Sequence, residues 1–199
     1  MIKIAVLVSG GGTNLQALID AWEKNELDGG ELSLVISSKH GVGALERAEK
    51  AGIKAITIER KKYTRLEDFD AAVAAVLSEN GIELVVLAGF LSILGQRTLK
   101  LYENRIINVH PALIPSFCGK GFYGLRVHEE ALKYGVKVTG ATVHFVNEII
   151  DGGKIILQKA VDVLPGDTPE TLQQRVMREA EWVLLPKAVA MICAEKELL

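Results

Sequence analysis

The stretch Lys3–Trp22, KIAVLVSGGGTNLQALIDAW, decides how the chain folds. Lys3–Val8 is a short run rich in β-branched residues, and Ser9-Gly10-Gly11-Gly12 ends it. Leu15, Leu18, Ile19 and Trp22 then recur at i, i+3, i+4 and i+7, the spacing of one helical face. Strand, glycine loop and helix in that order open an alternating chain. Leu32–Ile36 reads as a second strand, Ala44–Ala51 as a helix and Ala55–Ile58 as a third strand. Phe69, Val73, Val76 and Leu77 mark another helical face, and Glu83–Ala88 follows as a fourth strand. Its Leu84-Val85-Val86-Leu87 run is apolar on both sides, which a strand tolerates when helices cover the sheet on both faces. The alternation predicts a parallel sheet.

Beyond Gly89 the rhythm changes. Arg105–Val109 reads as a fifth strand, followed by a Pro/Gly-rich passage, Pro111–Gly124, too long for a simple turn. A short helix near His128–Tyr134 leads to two strand-like runs, Val136–Val146 and Ile155–Val163, joined by Asn147–Gly153 as an antiparallel addition to the sheet. A long helix closes the chain, capped by Thr168 with Pro169 at its first position and kinked at Pro186. Its expected inward stripe is Leu172, Val176, Ala180, Val183, Leu184, Met191 and Ile192. The fold class expected is therefore α/β, a Rossmann-like three-layer sandwich whose mostly parallel sheet carries an antiparallel C-terminal addition.

Composition narrows the function. The 199 residues hold 23 Lys+Arg and 25 Asp+Glu, a net charge of −2, with no basic block to grip nucleic acid by counterion release. The longest apolar runs fall far short of the ~20 residues a spanning helix needs, so no membrane association is expected. Met1–Val8 lacks the length and cleavage site of a signal peptide. Cys118 and Cys193, far apart and outside any CxxC or metal-ligand spacing, fit reduced thiols in a cytoplasmic protein without a metal site. No linker divides the chain, which favours one domain.

Three clusters carry chemistry. Ser9-Gly10-Gly11-Gly12-Thr13-Asn14 lies between the first strand and helix, where backbone N–H groups and the helix dipole form an anion site. It is not a dinucleotide fingerprint, because Leu15 falls where the third glycine belongs and Ser37-Ser38-Lys39 stands where an acidic residue would grip a ribose. A tight turn and a monophosphate site are the two readings open to it. In Asn108-Val109-His110-Pro111, residues two apart share a strand face, so an amide donor stands beside an imidazole while Ile107 and Val109 point into the core. Asp151-Gly152-Gly153 is ordinary hairpin-turn chemistry. A carboxylate brought near His110 would instead favour the imidazolium and raise the His pKa. Among the weaker candidates, His144 alternates with Val143 and Phe145 as a strand residue facing a polar side or lining the site, a structural role being favoured, and His40 and His128 read as solvated. Cys118 has no evident base beside it, and Glu181, at the border of the last helix's stripe, reads as a solvated carboxylate.

Taken together, SGGGTNL at Ser9–Leu15, LAGF at Leu87–Phe90, NVHPALIP at Asn108–Pro115 and GATVHFVNEIIDGG at Gly140–Gly153 resemble the phosphoribosylglycinamide formyltransferase family, folate-dependent enzymes of purine synthesis, along essentially the whole chain. The resemblance implies formyl transfer from 10-formyltetrahydrofolate, as co-substrate, to the amine of the glycinamide ribonucleotide. It implies catalytic roles for Asn108, His110 and Asp151, and a phosphate-holding role for Gly12, Thr13 and Asn14. Glu181 matches the acidic residue that takes the ribose hydroxyls; Leu91, Ser92, Ile93 and Leu94 match the segment lining the pterin pocket; and Arg65 stands where an arginine approaches the folate tail. One formyltransferase domain over 1–199 is expected, with a ribonucleotide-binding half in 1–100 and a catalytic, folate-binding half in 101–199. The partners implied are small molecules, and the protein is expected to be a monomer or homodimer. The sequence departs from the family at Ser92, where many members carry Arg, at the longer Ser116–Arg126 passage, and at Trp182, where His is frequent. Related tRNA formyltransferases usually add a basic C-terminal domain and formyltetrahydrofolate hydrolases an N-terminal regulatory one, and the sequence carries neither feature. A hydrolase and a non-catalytic phosphate-binding domain remain the alternatives.

Overall fold

The computed structural model describes residues 1–195. Among them one seven-stranded sheet is formed by β1 (Ile2–Val8), β2 (Gly30–Ser37), β3 (Lys54–Thr57), β4 (Leu84–Leu87), β5 (Ile106–His110), β6 (Val138–Phe145) and β7 (Ile155–Asp162), in the order β3-β2-β1-β4-β5-β6-β7. β1 to β5 are parallel, whereas β6 runs antiparallel to β5 and β7 antiparallel to β6. The helices are α1 (Thr13–Glu23), α2 (Gly43–Lys50), α3 (Leu66–Glu79), α4 (Gln96–Leu101), α5 (Leu125–Tyr134), α6 (Pro169–Val176) and α7 (Trp182–Ala194). The three-layer reading holds, and the last four residues of the expected 1–199 unit lie outside the described ones.

Each face of the sheet has its own core. Along β1, Ile2, Ile4, Val6 and Val8 pack with α1, α2, α6 and α7, while Ala5 and Leu7 turn to α3. That is why β1 and β4 carry no polar alternation: both of their sides are dry. β1 lies between β2 and β4, so strand order reverses there and the carboxyl ends of the strands open a crevice. Into it run Ser9–Gly12 after β1, the Gly89–Gly95 segment after β4, and the end of β5.

The closing helix departs from expectation. Thr168 caps α6 in a reciprocal box with Thr171, but a π-turn over Met177–Glu181 separates α6 from α7. A π-turn takes up extra residue length, so the apolar stripe shifts beyond it. Val183 and Met191, expected inside, are 47% and 40% exposed, and Leu185, Ala188, Val189 and Cys193 are buried in their place. Pro186 lies within an unbroken α7, and the irregularity precedes it. α4 had no signal in the local sequence, since its N-terminal residue Gly95 has no side chain to cap it.

His128 was expected in solvent and is instead fully buried in α5, with neither ring nitrogen hydrogen-bonded. Burial, joined by a smaller contribution from His110, pushes its pKa down to about 4. The unfolded chain, titrating near 6.5, therefore takes up the proton first, so this group's contribution to stability is whole above about pH 6.5 and lost as the pH falls toward 4, about 3 kcal/mol in total. His128→Leu should flatten that acid limb in denaturant titrations at pH 7 and pH 4.5. An unchanged acid limb would contradict the assignment.

Candidate active site

β5 delivers the first two groups. Ile107 and Val109 point into one core, which turns Asn108 and His110 to the opposite face. Antiparallel pairing sets His144 of β6 directly across from Asn108, and the Asn108 amide Nδ2–H donates to His144 Nε2 at 3.2 Å. His144 Nδ1–H in turn donates to the Phe145 carbonyl at 2.8 Å, which leaves Nε2 as the acceptor. The segment after β6 folds back over this face and brings Asp151 between the two imidazoles. Its Oδ2 lies 3.6 Å from His110 Nδ1 and its Oδ1 3.7 Å from His144 Nε2. Gly119 N–H also donates to Asp151 Oδ2 at 2.8 Å. His110 Nε2–H donates to the Phe117 carbonyl at 2.9 Å, so the neutral ring presents its free lone pair, on Nδ1, to Asp151. Asp151 and Phe117 both adopt positive φ, 56° and 49°, the sparsely populated backbone that collects at functional sites.

The electrostatics differ from the sequence expectation in one respect. Asp151 does press the His110 pKa upward, but burial outweighs it and the net shift is downward. His110 is thus neutral at rest near pH 7. Burial pushes Asp151 upward, and contacts from His144, His110 and the Gly119 amide more than reverse this, so it stays ionised. The Cys118 thiol is pushed up by burial and by Asp151, and donates to the Pro115 carbonyl at 3.3 Å, which suits an inert thiol.

A second cluster forms at the glycine loop. Gly12 has φ 75°, and a Cβ there would lie 2.7 Å from the Ala44 backbone and side chain, so only glycine fits between α1 and α2. Ala44 N–H binds the Gly10 carbonyl, and Arg47 binds the Gly11 carbonyl at 2.8 Å. No side chain caps α1, and no acidic residue lies in its first turn, which Thr13 and Asn14 open. Asn14 Nδ2 donates to Glu181 Oε2 at 2.7 Å across 167 residues, while the buried Asn14 Oδ1 lacks a protein partner. Glu181 is buried at 6% exposure, correcting its reading as a solvated carboxylate, because the π-turn tucks it inward.

Burial raises the Glu181 pKa to about 6, against the Asn14 hydrogen bond that lowers it. The folded state therefore holds the proton more tightly, so the stability this group contributes is full below about pH 4.5 and lost as the pH rises through 6, on the order of 2 kcal/mol. Glu181→Gln keeps an acceptor for Asn14 and should raise the denaturation midpoint at pH 7 while leaving it unchanged at pH 4. An equal shift at both pH values would contradict this.

The Gly89–Gly95 segment borders the same crevice. Leu91 N–H donates to Ser9 Oγ at 2.9 Å; Leu91 and Ile93 are 53% and 58% exposed, whereas Leu94 is buried in the core. The exposed pair provides an apolar rim that suits a flat heterocycle. Arg65 lies at the start of α3, exposed and paired with Glu67 at 3.4 Å. His144 joins the trio although sequence reasoning kept it structural; its cross-strand position opposite Asn108 was the signal.

Comparison with known proteins matches this arrangement to one family. Residues 2–189 fit the model of the formyl transferase family. The trifunctional purine biosynthetic protein adenosine-3 of Gallus gallus is 47% identical over 97% of the chain, but the chain spans only 18% of that protein's length. Glycinamide ribonucleotide transformylase 1 from Symbiobacterium toebii superposes with a TM-score of 0.91 at 42% identity, covering 97% of this chain and 88% of that one. Phosphoribosylglycinamide formyltransferase from Bacillus halodurans does so with a TM-score of 0.90 at 36% identity over 99% and 98%. With its fold, its glycine loop and its Asn108, His110 and Asp151 all carried on the matched residues, the chain belongs to the formyl transferase family.

Proposed function

We propose that the chain transfers a formyl group from 10-formyltetrahydrofolate to the primary amine of 5'-phosphoribosylglycinamide, a step of purine synthesis. The observation that carries the proposal is the meeting of Asn108, His110 and Asp151 from two separate segments around one crevice. The ribonucleotide phosphate sits at the uncapped start of α1, on Gly12, Thr13 and Asn14, and its ribose hydroxyls reach Glu181. Leu91, Ser92 and Ile93 border the pterin ring, with the buried Leu94 backing them from the core, and Arg65 faces the folate tail. On this reading residues 1–100 carry the phosphate site and the donor's rim, and the second half carries the catalytic groups and Glu181. Two free thiols support a reduced cytoplasmic setting, and the described residues include no helix long and apolar enough to cross a membrane.

The donor brings the formyl carbon, already bonded to the nitrogen that leaves. As the amine attacks, Asn108 donates a hydrogen bond to the formyl oxygen, whose charge grows in the transition state, while His110, its Nε2–H held by the Phe117 carbonyl, keeps Nδ1 open as the base. His110 begins neutral, and that growing charge raises its affinity for a proton. Nδ1 takes up the proton the amine gives away, opposite the Asp151 carboxylate, which holds the ring as a cation. The proton then passes by way of a water to the leaving folate nitrogen, so His110 and Asp151 return to their starting states. Holding both substrates in attack geometry adds a share at least as large.

Incubating the protein with 10-formyltetrahydrofolate, with and without the ribonucleotide, tests the reading. Amine-dependent loss of the donor's formyl group is expected. Equal release without the amine would favour a hydrolase, and no release in either arm would favour a binding module.

A further inference from the structure

We propose that Asp70 is a positioning residue for the formyl donor, acting through the Leu91–Leu94 strap rather than by touching substrate. The inference rests on the reading of that strap as the donor's apolar rim. Asp70 lies in α3 and is 2% exposed, a carboxyl group buried without a cationic partner among the described residues. Its surroundings instead supply backbone donors: Gly95 N–H to Oδ1 at 2.8 Å, and Arg97 and Thr98 N–H to Oδ2 at 2.9 and 3.2 Å. The Thr98 hydroxyl adds a bond to the Asp70 carbonyl at 3.3 Å. Arg97 and Thr98 are the second and third residues of α4, whose amides a helix's own capping side chain normally satisfies. Gly95, at the cap position, has no side chain, and α3 supplies the cap across the chain. The glycine is required, since a Cβ there would lie 2.7 Å from the Asp70 carboxyl carbon.

The consequence falls on the residues just before Gly95. Their other end is fixed by Ser9, 3% exposed, whose Oγ accepts from Leu91 N–H at 2.9 Å and pairs with Ser38 Oγ at 2.6 Å. A strap pinned at Leu91 and at Gly95 holds two largely exposed apolar side chains, Leu91 and Ile93, at the mouth of the crevice. Such side chains stay in place only if the backbone beneath them is fixed from elsewhere. The two pins differ in kind. Ser9 adjoins the glycine loop, whereas Asp70's hydrogen bonds among the described residues go to Gly95, Arg97 and Thr98, so disturbing Asp70 should affect the donor alone.

Asp70→Asn keeps the shape but turns an amide N–H toward backbone donors, either at Gly95 or at Arg97 and Thr98. It should raise the KM for 10-formyltetrahydrofolate about tenfold, with the ribonucleotide KM unchanged and kcat affected much less. Gly95→Ala, which displaces the carboxylate, should reproduce that split and stands in should Asp70→Asn fail to fold. A rise in both KM values together, or a fall in melting temperature with both KM values unchanged, overturns the proposal. Calorimetric titration with 10-formyltetrahydrofolate separates this inference from the proposed reaction. If the wild type binds the donor but shows no amine-dependent transfer, the reaction fails, and the strap still stands if Asp70→Asn weakens that binding. Unweakened donor binding by both variants overturns the strap with the reaction intact.

Discussion

Asp151→Asn is expected to reduce turnover by about 10²–10⁴-fold, the range for loss of a positioned acid–base partner. The amide keeps the carboxylate's shape and still accepts from Gly119 N–H through one oxygen, so the segment after β6 should hold its place. What disappears is the charge 3.6 Å from His110 Nδ1. Burial already depresses His110, and Asp151 is the largest influence opposing it. Without that charge the ring resists protonation further, at the moment when the attacking amine must lose a proton. Two readouts follow. The ribonucleotide, for which we propose Gly12–Asn14 and Glu181 as the binding residues, should bind with an affinity changed by less than about twofold, because only the transition state is affected. The acid limb of kcat against pH should move to lower pH, since His110 loses the influence that raises its pKa. A variant with full turnover and an unmoved acid limb would remove Asp151 from the mechanism.

Asn108→Ala should cost about 10²–10³ in kcat, as removing one oxyanion donor does elsewhere. Its second effect is structural and separable. Nδ2–H is the donor to His144 Nε2, and His144 is 2% exposed, so truncation leaves a buried acceptor unpaired at a cost of about 1–3 kcal/mol. Measuring kcat well below the variant's melting temperature, with the ribonucleotide affinity determined alongside, isolates the catalytic loss. If turnover fell only in proportion to the folded fraction, Asn108 would be a packing residue and the oxyanion assignment would fail.

Much of this was legible in the sequence because the relevant signals are local. The β-branched run before Ser9 and the helical spacing after Gly12 need no tertiary information, nor does the two-residue spacing that sets Asn108 and His110 on one face. The remainder depended on contacts made across the chain. α4 is capped by Asp70 rather than by its own cap residue, so its start carries no sequence mark. The π-turn at Met177–Glu181 breaks the periodicity on which the stripe through Val183 and Met191 was drawn, and the same turn buries Glu181 against Asn14. His128 reads as the start of a helix, but α5 begins at Leu125, which carries His128 inward where α5 packs against α6. For His110 only the family resemblance implied Asp151 as the partner, and the burial that decided the sign of the shift carries no mark in the sequence.

The proposed reaction moves a formyl group between two small molecules held in one crevice. Isotope-labelled formyl on 10-formyltetrahydrofolate follows that transfer directly. With the ribonucleotide present, the label is expected in the formylated glycinamide ribonucleotide, with wild-type transfer far above that of Asp151→Asn. Label recovered as free formate, at the same rate with or without the ribonucleotide, would contradict it.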